Sequence, residues 1–338
     1  MKTKIFKQNN LEQAAELLKQ GELIAFPTET VYGLGAMVEN ETAVKKVYQA
    51  KGRPSDNPLI VHLAQAEDIY QYIDHYPVYL PQIMETFWPG PLTIVLPLKD
   101  QVFSHSVTGG LATCAFRVPA SSLARELIKM TGPLVAPSAN TSGRPSPTTA
   151  NHVYHDLQGK IAGVLDGGSA RVGVESTVID LSDGQEIFIL RPGYYGISDI
   201  KQLVDVPVKY DQHLVKESEI PKAPGMKYKH YAPKTKVLML KDIADVDTVL
   251  AQDDLQIGLL AANQVLKCYP QIKAHYSLGD GSPREAAQNL FSGLRFLDEQ
   301  HLDVILVQTF TSDDALATAY MNRLQKAANR EYLSKNSL

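Results

Sequence analysis

Apolar residues recur along this chain with two periods, and each change of period marks a new element. Residues 11–19 place Leu11, Ala14, Ala15 and Leu18 on one side of a helix. Residues 23–26 are a short apolar run stopped by Pro27, as expected of a buried strand. The same reading predicts helices over 43–50, 79–86 and 122–129. It predicts strands over 59–63, 92–96, 115–118, 134–136, 162–166, 176–181 and 187–190. Trp88-Pro89-Gly90-Pro91 breaks the chain just before the strand at residue 92. Strand and helix alternate irregularly, so the expected fold is α/β with a twisted, mixed open sheet rather than a regular βαβ array.

A second pattern starts near residue 236. Strands are predicted over 237–240, 257–261 and 304–307, and helices over 244–251, 284–299 and 315–328. This alternation suggests a small Rossmann-like or flavodoxin-like α/β domain. It holds no Gly-x-Gly-x-x-Gly turn and no Walker A loop, so nucleotide binding is not expected there. Between the two patterns, residues 205–235 lack clean periodicity and are rich in Lys, Pro and Tyr. The expected division is a catalytic domain over 1–204, a linker or flap over 205–235, and a C-terminal domain over 236–338.

Composition narrows the class. With 338 residues, 44% apolar and 21% charged, the chain is long enough for two cores and ordinary for a globular protein. A net charge of −4 gives no bulk attraction to nucleic acid, so RNA would need a local basic patch. No apolar run suffices to span a bilayer, and polar residues follow the basic start. Cys114 and Cys268 are the only cysteines, without metal-ligand spacing. A reducing cytoplasm and no membrane partner are therefore expected.

Four polar clusters sit beside apolar runs. They are Pro27-Thr28-Glu29-Thr30, Lys51-Gly52-Arg53-Pro54 with Asn57, Ser138-Ala139-Asn140 with Ser146, and Glu175-Ser176-Thr177. A Lys and an Arg two residues apart form a compact positive site, and the other clusters supply hydroxyls and amides. Together they suit a polyanion and a small polar molecule. Taken singly, each has a plainer explanation. Lys51 and Arg53 would be solvated charges, Ser138 and Asn140 turn residues, and His62 a satisfied core histidine. No Ser-His-Asp set, acid/base carboxylate pair or nucleophilic cysteine is evident. Catalysis would then rest on positioning and electrostatics.

In order, the motifs resemble those of the YrdC-like threonylcarbamoyl-adenylate synthases. Ala25-Phe26-Pro27-Thr28-Glu29-Thr30-Val31-Tyr32-Gly33-Leu34-Gly35 is similar to the opening motif, and Lys51-Gly52-Arg53-Pro54 with Asn57-Pro58-Leu59-Ile60-Val61-His62 to the Lys-x-Arg loop. Trp88 to Thr93, Pro137-Ser138-Ala139-Asn140 and Gly173-Val174-Glu175-Ser176-Thr177 follow in the family's order. The segment from Ala223 to Pro233 resembles the linker of the long, two-domain form.

The resemblance implies synthesis of L-threonylcarbamoyl-AMP from L-threonine, bicarbonate and ATP. The product would serve N6-threonylcarbamoylation of adenosine 37 in tRNA through a downstream transferase. It implies Lys51, Arg53, Ser138 and Asn140 as catalytic groups, and these with Asn57, Thr113, Ser146, Arg191 and Tyr231 as ATP contacts. It implies Thr30, His62, Arg117, Ala136 and Ser176 for L-threonine. No dedicated metal ligand is implied; Mg2+ would accompany ATP. An Arg fork and a Lys point charge suit nucleotidyl transfer between anions, where repulsion must be screened. Lys51→Ala or Arg53→Ala is each expected to cut pyrophosphate release while leaving the fold intact. Tyr231, in a lysine-rich stretch from residue 221 to 236, would reach nucleotide from a flap that excludes water. Two rivals stand beside this. One is a double-stranded RNA or tRNA-binding module, with Lys51, Arg53 and Arg144 in a weak tRNA contact. The other is a regulatory protein sensing a ligand through its C-terminal domain.

Overall fold

Leu11–Lys19 folds as its spacing dictates, with Ala14, Ala15 and Leu18 buried. Glu41–Lys51 starts at Asn40, whose side chain accepts from the Ala43 amide, and ends at Gly52 in the left-handed region. Ser122–Thr131 begins in the same way, at Ser121. The computed structural model describes residues 2–212, 221–222, 231–251 and 255–334. Contacts divide the chain into two units. The first comprises Met1–Ser142, Pro147–Arg171 and Glu175–Tyr228, the second Gly143–Ser146, Val172–Val174 and Lys229–Leu338.

In the first unit the strands are β1 (Lys4–Phe6), β2 (Ile24–Phe26), β3 (Gly33–Met37), β4 (Ile60–His62), β5 (Leu92–Pro97), β6 (Thr113–Arg117), β7 (Leu134–Val135), β8 (Gly163–Leu165), β9 (Thr177–Asp180), β10 (Ile187–Arg191) and β11 (Val208–Tyr210). They form one mixed sheet in the order β1-β8-β2-β3-β7-β4-β6-β5-β9-β10-β11. Parallel pairs such as β4–β6 and β5–β9 sit beside antiparallel ones such as β4–β7 and β5–β6.

Side chains alternate between the two faces of this sheet. Val61, Ile94, Phe116, Val135, Ile179 and Ile189 enter one large core. Their neighbours split into two smaller clusters: Phe26, Leu134, Ala136 and Leu165 in one, Ile60, Val95, Ala115, Val178 and Leu190 in the other. Each fully buried Leu, Ile or Phe contributes about 1.5–3 kcal/mol, so the first face supplies most of the unit's stability. The second face has room for polar groups.

The second unit carries β12 (Lys236–Leu240), β13 (Ile257–Ala261), β14 (Ala274–Ser277) and β15 (Val304–Gln308). They pair wholly in parallel, in the order β12-β15-β13-β14. Helices Asp245–Leu250, Asn263–Cys268, Pro283–Asp298 and Ala315–Ala327 connect or follow them. The early segment is anchored within this unit by ionic and polar contacts. Arg144 pairs with Asp298 at 3.0 Å, and Arg295 Nε donates to the Pro145 carbonyl at 3.1 Å.

The α/β architecture expected from the periodicity is present, with elements that pattern did not show. Strand β3 reads Gly-Leu-Gly-Ala-Met, a poor strand by propensity. Its glycines are there for approach: a Cβ on Gly35 would lie 2.9 Å from the Phe26 ring and 3.0 Å from the Ile24 carbonyl. Strand β11 lies inside the stretch read as linker and pairs with β10. Strand β14 is half polar and only partly buried, so it carried no apolar run. Four short helices, His105–Thr108, Ala150–Leu157, Ile197–Lys201 and Asn263–Cys268, were likewise not anticipated. Of the flap reading, residues 223–230 lie outside the described residues.

Candidate active site

The second face of the large sheet gathers His62, Arg117, Ala136 and Arg191. His62 and Arg117 are direct partners across β4 and β6. Alternation puts them on the face of Ile60 and Ala115, away from the large core. Ala136, just past β7, donates its amide to the Ile60 carbonyl at 3.0 Å. Arg191 reaches this face by a different route. Simple alternation along β10 would align it with Ile187 and Ile189, which are core residues. The register shifts between Ile189 and Arg191, and Arg191 comes to lie opposite Val178. Such a bulge re-aims a side chain. The Arg191 Nη2 group donates to Ser176 Oγ and its Nε to the Ser176 carbonyl, both at 3.0 Å. Thr93 Oγ1 lies 2.7 Å from the same Ser176 hydroxyl.

A second hydrogen-bonded set surrounds Arg117. Its Nη1 donates to Thr30 Oγ1 at 2.9 Å, its Nη2 to Glu29 Oε1 at 2.5 Å, and its Nε to the Gly90 carbonyl at 3.2 Å. The polarity of the adjoining hydroxyls follows. Thr28 Oγ1 donates to the Val31 carbonyl at 2.6 Å, since a carbonyl only accepts. Its one proton is thereby committed. In the 2.8 Å contact between Thr28 and Thr30, Thr30 must donate. Thr30 therefore accepts from Arg117, donates to Thr28, and offers any further partner a lone pair only.

His62 is buried, and its pKa is lowered to about 3, first by desolvation and then by the positive charge of Arg117. It is a neutral imidazole at physiological pH. Its Nδ1 lies 3.3 Å from the Ile60 carbonyl, which selects the Nδ1–H tautomer and leaves Nε2 as an acceptor. The ring meets Phe26 edge to face at 6.2 Å.

Lys51 is not a solvated surface charge; it is 2% exposed. Its ammonium donates to the Ser138 carbonyl, to the Asn140 carbonyl at 2.8 Å, and faces Asn140 Oδ1 at 3.5 Å. It thus ties the end of its helix to the Ser138–Asn140 turn. Burial pushes its pKa well down, with Arg53 adding to the effect and Asp156 and Glu175 opposing it. Asp156 holds the same turn from the other side, accepting from the Thr141 amide at 3.2 Å. Arg53 Nη2 donates to the Asn57 and Pro58 carbonyls at 3.1 and 3.0 Å. Asn57 keeps a buried Oδ1 with no hydrogen-bond partner among the described residues, an oxygen suited to a ligand's donor or a hard cation. Thr113 opens β6, two residues from Ala115 on the same face.

Ser146 and Tyr231 fall in the second unit. Ser146 is fully buried there. Tyr231 has a φ of 67° and is buried against Phe291, with ring centroids 5.2 Å apart and the Arg323 guanidinium 6.0 Å from its ring. Sequence reading assigned no role to Glu29, Thr93 or Asp156. Glu29 and Thr93 lie inside motifs already quoted, so position was a usable signal for both. Asp156 lay in a helix that periodicity did not reveal.

Among the described residues, no group of three or more His, Cys, Asp or Glu is arranged to hold a metal ion. No described helix is long and apolar enough to cross a membrane.

These arrangements can be set beside known proteins. The family profile described as "Telomere recombination" matches residues 16–193, and that of the "Threonylcarbamoyl-AMP synthase, C-terminal domain" matches 196–329. The threonylcarbamoyl-AMP synthase of Bacillus subtilis is 44% identical over 326 residues, covering 94% of this chain and 92% of that protein. That of Pyrococcus abyssi is 42% identical, covering 93% of each. The crystal structure of P. abyssi Sua5 complexed with L-threonine superposes with a TM-score of 0.89 at 38% identity, covering 98% of this chain and 99% of that one. The similarity spans both units and is to enzymes, not to an RNA-binding module. With both profiles matched in sequence and 94% of the chain aligned to one relative, this protein belongs to the threonylcarbamoyl-AMP synthase family.

Proposed function

We propose that the chain condenses L-threonine, bicarbonate and ATP into L-threonylcarbamoyl-AMP, releasing pyrophosphate and water, and that the sheet face holding Arg117 and Ser176 receives the amino acid. The observation that carries this is the oriented set Glu29–Arg117–Thr30–Thr28 beside neutral His62. Arg117 offers donors to a carboxylate. Thr30 and His62 offer acceptors, which suit the N–H groups of the amine and the substrate hydroxyl. Ser176, held by Arg191 and Thr93, adds a fixed hydroxyl. A site with a committed acceptor for a substrate hydroxyl discriminates against an analogue lacking it.

The Lys51, Arg53, Asn57, Ser138 and Asn140 set is the candidate triphosphate site, with Thr113 and Arg191 as further contacts. Lys51 holds the turn through its hydrogen bonds to the Ser138 and Asn140 carbonyls. Arg53 and the turn supply donors to phosphate oxygens in a reaction between anions. Mg2+ would accompany ATP and supply charge neutralisation at the phosphates, and the buried Oδ1 of Asn57 would be the oxygen of this chain offered to it. Ser146 and Tyr231 are the further residues proposed as ATP contacts, Tyr231 by way of a closing flap. Cleavage of the chain between residues 223 and 233 is then expected to reduce adenylate formation, and unchanged synthesis would remove the flap from the scheme. The product feeds N6-threonylcarbamoylation of adenosine 37 in tRNA by a separate transferase, in the cytoplasm.

The test is mass detection of threonylcarbamoyl-AMP after mixing the protein with L-threonine, bicarbonate, ATP and Mg2+. Product with threonine, and much less with serine, is expected. ATP consumption without that product would reject the assignment.

A further inference from the structure

We propose that Glu29 is a positioning residue for amino-acid recognition, acting through Arg117; this rests on the reading that Arg117 takes the substrate carboxylate. Three observations carry it. First, the pair is buried: the side chains of Arg117 and Glu29 are 5% and 10% exposed, and Nη2 lies 2.5 Å from Oε1. A guanidinium with so little water depends on a fixed partner. Second, Glu29 is itself immobilised. Its other oxygen, Oε2, accepts from the Ala120 amide at 2.9 Å, just beyond the strand that bears Arg117. Both carboxylate oxygens are committed, so Glu29 holds the guanidinium against the backbone rather than swinging into the site. Third, the arginine is held on each of its nitrogens. Nε binds the Gly90 carbonyl, Nη1 binds Thr30 and Nη2 binds Glu29. A guanidinium has five N–H groups. Three are used, and one N–H is left on each terminal nitrogen for a substrate carboxylate.

Glu29 therefore selects which face of the guanidinium is presented. It also orients Thr30 indirectly, since the Arg117–Thr30 bond completes the hydroxyl chain that makes Thr30 an acceptor. Two effects of removing its charge oppose one another. A more positive pocket attracts a carboxylate more strongly. A guanidinium released on one side loses its orientation, and a misplacement of about 1 Å can cost on the order of a hundredfold. The committed geometry on all three nitrogens makes orientation the larger effect.

The test is E29Q in the full chain. Its amide can accept from only one of the two donors that the carboxylate serves. The expected result is a rise in KM for L-threonine of about tenfold or more, with KM for ATP within about twofold and weaker discrimination against serine. E29D keeps the charge but is one methylene shorter, and should fall between wild type and E29Q. A fall in threonine KM would show that electrostatic attraction wins, and would overturn the proposal. So would equal shifts in both KM values with a lowered Tm, the mark of a purely structural role. Calorimetric binding of L-threonine to wild type and E29Q tests Glu29 separately from turnover. If the wild type binds threonine but makes no threonylcarbamoyl-AMP, the assigned reaction fails while the role of Glu29 is still decided.

Discussion

The eleven-stranded sheet of the first unit buries two guanidinium groups, an imidazole and several hydroxyls on one face. The strands of the four-stranded sheet in the second unit bury Leu, Ile, Val and Met instead. The two sheets also differ in direction, one mixed and the other wholly parallel. Parallel strands covered on both faces read as continuous apolar runs. The mixed sheet has one largely apolar face and one that is interrupted by charged and polar side chains, and the candidate chemistry lies in the interruption. A buried polar group is costly unless it is paired. The pairing pattern is therefore a map of what the first unit was shaped to hold.

The contrast can be broken most severely at Arg117. Arg117→Ala leaves Glu29 buried without its cation, at a cost of about 3–5 kcal/mol. We expect threonylcarbamoyl-AMP synthesis to fall at least about a hundredfold, read by product mass against time. The matching change in the other sheet is Leu306→Ala, at a fully buried position of β15. It should cost about 2–5 kcal/mol in urea unfolding, yet leave the threonine KM of the folded enzyme unchanged. A large rise in that KM would blur the division of labour between the two sheets.

A smaller effect tests His62 through pH. Its folded pKa is about 3 against an ordinary 6.5. Between these values the unfolded chain binds more protons, so stability falls as pH drops from 6.5 towards 3. The slope from this group is at most about 1.4 kcal/mol per pH unit. His62→Gln should flatten the decline seen in denaturant titrations between pH 4.5 and 6.5, while Ile60→Val should not. Smallest is Thr93→Val, which removes one hydroxyl contact to Ser176. About 1 kcal/mol of binding, or roughly fivefold in threonine KM, is expected. An unchanged value would mean that Arg191 alone holds Ser176.

Long apolar runs were legible from the sequence because their period is intrinsic. The helix at Leu11–Lys19 and strands β5 and β10 follow directly from it. Strand β3 was not legible, because its glycines serve a close approach that only the folded sheet makes. The candidate residues were legible as motifs but not as environments. Nothing in Lys51-Gly52-Arg53 announces that Lys51 is buried and spent on carbonyls. The expectation that Lys51→Ala spares the fold is revised for that reason. Each acceptor left unsatisfied costs about 1–3 kcal/mol. Glu29 stood within a quoted motif, but its bond to Arg117 spans 88 positions and depends on tertiary folding.

The irregular pairing before Arg191 has a consequence for how this chain tolerates change in length. Removing Leu190, the one residue between Ile189 and Arg191, would let β9 and β10 pair without a break and keep the guanidinium opposite Val178, on the face it already occupies. The loss would fall on the small apolar cluster that Leu190 helps to fill. With a spare residue in its bulge, this strand should accept a deletion of one where a regular strand would flip every side chain beyond it.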